Sequence, residues 1–341
     1  MRVSYGFSDL AGPRGFAEGG LVKFQALLPL WPHTHSDYNV LYVVSSRLPE
    51  DILAIYEQAR ANGARVLLSQ AAAACPATHG ERWKRLNAPL ELLVAHADFV
   101  FYQSAFGRRM CDAILGSRSG PSDILPNAVD TDRFHPAARD PAPHELRILL
   151  GGTQYREYRL RRALEAFALV ARARPDARLR VTGRLKWLAD PDEARRHAQS
   201  WCDELRIADR VEFLGPYRQD DAPEIFRGAH VLLHPMALDC CPTVVLEAMA
   251  SGLPVVYGAS GGVPELVGEN AGVGVPIADD FEQLHIPEAN VLANAIVIAA
   301  EKRRELGEAG RRRAVETFGR GAWIARHREL FASWERTPVS S

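Results

Sequence analysis

Eleven short apolar runs limit how this chain can fold. Most end in Gly, Pro or Ser, and helical patterns separate them. Five lie in the first part of the chain (2–7, 39–46, 64–70, 97–104 and 123–129) and six in the second (147–152, 178–183, 210–215, 230–235, 254–258 and 272–277). The runs are apolar on both faces, and amphipathic stretches such as LRRALEAFALVARAR (160–174) lie between them. That pattern means strands of a parallel sheet covered by helices on both sides. Two sets of runs predict two doubly wound, Rossmann-like α/β domains, and 341 residues are enough for both. The Pro-rich stretch HPAARDPAPHE (135–145) reads as the linker. The expected boundaries are 1–138 and 144–315, followed by an amphipathic helix at about 317–336. Ligands of such sheets sit outside the carboxyl ends of the strands, so two domains facing each other would form a cleft there.

Composition removes several function classes. The net charge is -1, so no global field draws nucleic acid or anionic lipid. Residues 1–135 are themselves charge-balanced, which leaves at most a peripheral membrane contact. The five cysteines show no CxxC spacing, and no cysteine or histidine pair has zinc-ligand spacing. Scattered thiols, no apolar leader in MRVSYGFSDLAGPRG and no run of about 18 apolar residues point to a cytoplasmic protein without a metal site.

The densest chemistry follows the run HVLLHP (230–235). It is Asp239 and then CCPTVVLEAMASGLPVVYGASGGVPELV (240–267). Pro242 is placed at the first helical position, where a missing N–H costs nothing. The helix runs to about Ser251, and Gly252 and Pro254 stop it. Its first N–H groups, at Thr243 and Val244, form an anion site that the helix dipole strengthens. Glu247, five residues past Pro242, lies about 7.5 Å along the axis at 1.5 Å per residue, roughly the span from a phosphate to the hydroxyls of its ribose. Asp239, before the helix, is placed to hold hydroxyls of a sugar. Taken singly, Glu247 also reads as an exposed helix residue and Asp239 as a loop residue. The second glycine-rich helix start, GASGGVPEL (258–266), favours the ligand reading. Cys240 and Cys241 border the phosphate position, where Cys241 is a candidate contact; both read as small buried hydrophobes.

These residues resemble the donor-sugar motif of family 4 glycosyltransferases (GT4), which have the GT-B fold. That motif has two glutamates with seven residues between them, then EAMA-G-PVV and a GG-PE turn. Asp239 stands here where the first glutamate is usual. ILPNAVDTDRFHP (124–136) is similar to the family's interdomain entry, RVEFLG (210–215) to the strand before its nucleobase site, and EGGL (18–21) to its first glycine loop. The resemblance covers essentially the whole chain, most strongly over about 124–280. It implies a retaining transferase that moves a sugar from a UDP- or GDP-linked donor to an acceptor, without a cofactor or a metal ion. Front-face attack is usual, with the leaving phosphate oxygen taking the acceptor proton. Basic side chains and helix N-termini stabilise the departing diphosphate. The acceptor is a saccharide, a lipid-linked compound or a small molecule. The terminal helix is expected to cross back to the first domain, with Trp323 in its core.

One departure bears on the chemistry. The family has an Arg directly after the glycine of the first strand of its second domain and a Lys five residues later, and both clamp the diphosphate. Those positions hold Thr153 and Tyr158 here, beside Gly152. Arg156 and Arg159 flank them, and either guanidinium can grip phosphate bidentately. Alternatively both are surface arginines. Gly19 and Gly20 are read as a close-approach loop, Gly183, Gly215 and Tyr217 as the surroundings of the base, and His79 as a sugar contact or an exposed loop histidine. A non-catalytic GT-B protein that binds sugar or a partner after losing its clamp is the alternative function. An epimerase or a phosphorylase is a third.

Overall fold

The computed structural model describes residues 1–7 and 19–336. The chain divides into two compact units: 1–128 with 280–284 and the C-terminal residues from 320, and 129–279 with 285–319. In the first unit the order is β1 (Val3–Ser4), α1 (Gly19–Leu27), β2 (Val40–Val44), α2 (Ile52–Ala61), β3 (Arg65–Gln70), α3 (Pro76–His79), α4 (Trp83–His96), β4 (Phe99–Tyr102), α5 (Ala105–Ile114) and β5 (Ser122–Ile124). In the second it is β6 (Leu146–Leu150), α6 (Glu157–Ala173), β7 (Ala177–Thr182), α7 (Pro191–Glu204), β8 (Val211–Gly215), α8 (Ala222–Arg227), β9 (Val231–His234), α9 (Thr243–Ala250), β10 (Val255–Ala259), α10 (Val263–Val267), β11 (Gly272–Pro276), α11 (Ala289–Glu301) and α12 (Arg303–Phe318). Helix α13 (Arg320–Arg336) belongs to the first unit again.

All strand pairs are parallel, in the orders β1-β2-β3-β4-β5 and β11-β10-β9-β6-β7-β8. Each of the eleven runs overlaps one of these strands. Side chains two apart share a sheet face. Leu41, Val43, Val66 and Leu68 therefore fill one core of the first unit, and Val40, Tyr42, Val44 and Leu67 the other. In the second unit Ile148, Leu150, Val231 and Leu233 face one way, and Leu149 and Leu232 the other. Each fully buried Val or Leu contributes about 1.5–3 kcal/mol of transfer free energy. Trp323, Leu330, Phe331 and Trp334 of α13 join the second core of the first unit.

The unit boundary falls at 128/129, upstream of the Pro-rich stretch. Phe134 packs with Val129 and Phe226 in a core of the second unit, and Ala142 is also buried. Phe134 just before the stretch and Ala142 inside it are buried, and the stretch goes with the second unit despite its linker-like composition. The short excursion 280–284 was not expected in the first unit. Phe281 explains it: its carbonyl accepts the Ala77 N–H at 2.9 Å, and its ring meets Phe106. Among the described residues no helix is long and apolar enough to cross a membrane.

Candidate functional site

Strand order in the second sheet reverses at β6, which has β7 on one side and β9 on the other. The connections leaving β6 and β9 therefore diverge and open a crevice at the carboxyl edge between them, where ligands of such sheets bind. The expected residues of this unit collect at that edge.

The loop after β6 is pinned to its neighbours. A Cβ built on Gly151 would lie 2.6 Å from Val244 Cγ2, so this glycine lets the loop touch the first turn of α9. Gly183 has φ +85°, and a Cβ there would run into the Gly152 carbonyl and stand 2.6 Å from Thr153 N. Only glycine satisfies both demands. Its N–H donates to the Gly215 carbonyl at 2.8 Å, which joins the loops after β7 and β8. Gly152, Thr153, Gly183 and Gly215 thus form one continuous backbone wall.

Helix α9 begins at Thr243, and Pro242 precedes it in an extended conformation. Pro242 is thus the capping residue and not the first helical one, which is a one-residue correction. The N–H groups of Thr243 and Val244 have no acceptor within the helix. Glu247, a turn further on, makes no side-chain hydrogen bond or ion pair with the described residues. Burial pushes its carboxyl up to about 8, opposed only by Arg133. A half-buried carboxyl without a donor is set up to receive hydroxyls. Tyr217 packs against the α9 core, and its hydroxyl is held high by burial and by the nearby Glu247 charge. Cys241 is buried in the same core, as expected of a small hydrophobe; none of the five cysteines is in a disulfide.

Asp239 sits in the β9–α9 loop after Leu238, whose φ of +55° is unusual for a residue with a side chain. The 260–262 turn braces this loop. Gly262 N–H donates to the Asp239 carbonyl at 2.8 Å and Leu238 N–H to Ser260 Oγ at 3.0 Å. A Cβ on Gly261 would stand 2.5 Å from the Asp239 carbonyl oxygen. The glycines of GASGGVPEL were expected to bring backbone close to a ligand; at Gly261 the close neighbour is the Asp239 backbone.

The two candidate arginines separate. Arg159 is 4% exposed and points inward. It donates to the Gly151 carbonyl at 2.6 Å, to Gln154 Oε1 at 2.9 Å and to the Thr153 carbonyl at 3.3 Å. A guanidinium committed to these carbonyls holds the loop; it is not available as a diphosphate clamp, which corrects that expectation. Arg156 is half-buried at the N-terminus of α6, and its guanidinium has no hydrogen bond or ion pair with the described residues. Tyr158, where a lysine was expected, accepts the Ala237 N–H at 3.1 Å and donates to Met236 Sδ at 3.3 Å. It fixes the loop that carries Asp239.

His234 was missed. Its Nδ1 lies 3.4 Å from Arg159 NH2 and its Nε2 3.2 Å from Asp239 Oδ2. Burial lowers its pKa against the pull of Asp239. A guanidinium only donates, so Nδ1 accepts in its contact with Arg159, which leaves Nε2–H to donate to Asp239. The signal was a histidine inside the apolar run HVLLHP, five residues before the acid. In the first unit, Gly19 and Gly20 open helix α1 and are not a loop, and Glu18 lies outside the described residues. His79 ends α3, with Nδ1 2.8 Å from Thr78 Oγ1.

Backbone donors, one uncommitted guanidinium and two carboxyls thus gather at the switch point of an α/β sheet, an arrangement that offers donors to an anion and acceptors to hydroxyls. Residues 136–313, just over half of the chain, match the family described as glycosyl transferases group 1, and the chain belongs to it. D-inositol 3-phosphate glycosyltransferase of Mycobacterium leprae is 31% identical over 194 residues, 52% of this chain and 44% of the relative. GDP-mannose-dependent alpha-(1-6)-phosphatidylinositol monomannoside mannosyltransferase of Mycobacterium tuberculosis is 29% identical over 230 residues, 60% and 57% of the two chains. The chain thus spans about half the length of these curated relatives. Sucrose-phosphate synthase from Thermosynechococcus elongatus superposes with a TM-score of 0.69 at 21% identity, over 91% of this chain and 77% of its own. HepE from Anabaena in complex with UDP also gives 0.69, at 18% identity over 87% and 79%. The fold is GT-B.

Proposed function

We propose that this protein is a retaining glycosyltransferase that moves a sugar from a nucleoside diphosphate sugar to an acceptor hydroxyl. Glu247 carries the reading. It is an unpartnered, half-buried carboxyl five residues past Pro242, about the span from a phosphate at the start of α9 to its ribose. Asp239, oriented by His234, takes hydroxyls of the donor sugar. The diphosphate lies against the N–H groups of Thr243 and Val244 and the Arg156 guanidinium, which meet its charge without a metal ion. As the bond from the anomeric carbon to phosphate breaks, its electrons pass to the phosphate oxygen. The acceptor oxygen bonds to the same face of that carbon, and its proton goes to the departing phosphate. Positioning and electrostatic stabilisation supply the rate. HepE is titled as a UDP complex and the mannosyltransferase is named for GDP-mannose, so UDP and GDP are the bases to try. The relatives' names point to inositol phosphate or lipid-linked acceptors.

Titrating the protein with UDP, GDP and their sugar conjugates in a calorimeter, followed by product analysis, tests this. Saturable binding of one nucleotide and transfer from its conjugate are expected. A non-catalytic sugar-binding protein is the second reading, favoured by Tyr158 and by Arg159 turning inward. Binding without transfer or hydrolysis for every donor and acceptor tried would support it. No nucleotide binding at all would overturn the proposal.

A further inference from the structure

The ribose and base ends of the donor crevice are carried by different elements. Glu247 lies on α9, which follows β9, while Gly215 and Tyr217 belong to β8 and the loop after it. In the sheet β6 and β7 lie between β8 and β9, so no strand pairing sets the gap between these two walls. The 130–134 turn joins them. Its Phe134 is buried in the same core as Val245, Leu246 and Met249 of α9, and Tyr217 packs against that core.

Two guanidinia fix the turn to either wall. Arg311 of α12 donates from Nη1 to the carbonyls of Thr131 at 3.0 Å, Phe134 at 2.7 Å and Ala250, the last residue of α9, at 2.9 Å. A cation there also suits the negative end of that helix. Arg133, inside the turn, donates from Nη2 to the Gln219 carbonyl at 3.1 Å and to Asp220 Oδ1 at 3.0 Å. Both acceptors lie in the loop that carries Tyr217. Arg227 of α8 donates to the Arg133 carbonyl at 3.3 Å and holds the turn from that side as well. A line of hydrogen bonds thus runs from the end of α9, through the turn, to the loop after β8. The Arg133 charge also reaches Glu247, where it opposes the effect of burial on the carboxyl. The diphosphate end of the crevice is held by other contacts: Gly151 against Val244, and Arg159 at the Gly151 and Thr153 carbonyls.

We propose that Arg133 and Arg311 are positioning residues for the nucleoside end of the donor site: Arg311 fixes the 130–134 turn to α9, Arg133 fixes the loop after β8 to that turn, and together they set the gap between Glu247 and Tyr217 that receives ribose and base. This rests on the function proposed above. UDP, GDP and inorganic pyrophosphate are titrated by calorimetry into the wild type, Arg133→Met, Arg133→Lys and Arg311→Met, and each protein is melted. Pyrophosphate probes the diphosphate end alone. Methionine keeps an apolar stem and removes the charge and its hydrogen bonds. Arg133 and Asp220 are both partly exposed, so Arg133→Met should melt nearly like the wild type. Arg311→Met strands three carbonyls and should melt lower, so the binding test is read on Arg133→Met. Its affinity for the nucleotide that the wild type prefers should fall about tenfold. Its affinity for pyrophosphate should not change, whereas a merely structural defect would weaken both. Arg133→Lys, which keeps the charge and a donor, should recover part of the loss. Unchanged nucleotide affinity in Arg133→Met, or an equal loss for pyrophosphate, would overturn the inference and leave the proposed function standing. No nucleotide binding by the wild type would overturn both.

Discussion

Replacing Glu247 by Gln should make the unliganded protein more stable and its hold on a nucleotide weaker. Burial raises the Glu247 carboxyl from its ordinary 4.5 to about 8. Below the unfolded value the group is protonated in both states and costs nothing. Between the two values the unfolded chain has lost its proton while the folded one keeps it. Stability therefore falls as pH rises, by about 1.36 kcal/mol per unit. At pH 7 the interval crossed is about 2.5 units, or about 3 kcal/mol, and the loss levels off above pH 8. Glutamine does not titrate, so the substitution should recover most of that at neutral pH and nothing near pH 4. Urea unfolding of both proteins at several pH values reads it directly. A gain of equal size at acid and neutral pH would show that burial of the charge is not the cause. Binding should move the other way. Glutamine has one acceptor oxygen for two ribose hydroxyls, so affinity should fall at least about tenfold. Unchanged affinity would remove Glu247 from the ribose site.

The two arginines give a paired prediction. Arg159→Ala strands buried carbonyls and should lower unfolding stability by at least about 2 kcal/mol, whereas Arg156→Ala should leave the melting point nearly unchanged and slow sugar transfer about 100-fold. Equal stability losses would put both side chains in the same structural role. Gly183→Ala combines a left-handed backbone with a collision and should abolish nucleotide binding. Gly63→Ala, at φ +69° with nothing within 4 Å, should cost only about 1–2 kcal/mol and leave binding intact. Urea midpoints and calorimetry on the two variants check this, and similar behaviour would argue against the tight approach to Gly152.

The strands were legible because a parallel sheet buries both faces, and a run such as RILLGG admits few other readings. Helix α9 was legible because Pro242, Gly252 and Pro254 mark its two ends. What the sequence leaves open is where a long side chain points. Arg156 and Arg159 are identical in type and three apart, yet one is uncommitted and the other holds Gly151 and Thr153. Arg156 is the extended residue before α6, whereas Arg159 lies on its buried face, where the Gly151 carbonyl meets it. His234 itself was hidden inside a strand whose other residues are apolar. The units divide at 128/129, upstream of the Pro-rich stretch, because proline content marks a linker only where the chain buries nothing, and here Phe134 just before the stretch and Ala142 inside it are buried.

Helix α13 has a consequence for synthesis. Its Trp323, Phe331 and Trp334 complete a core whose other walls are Val3, Tyr5, Phe24 and Tyr42. The first unit is therefore started by the earliest residues and closed by late ones, while the strands of the second lie within 146–276. Domains emerging from a ribosome usually fold in order from the N-terminus. Here the second unit can gather all its strands while the first still lacks one wall. Until residues 320–336 emerge, the aromatic face of β2 is covered by α1 alone, and a chaperone or a premature neighbour would find the rest of it open.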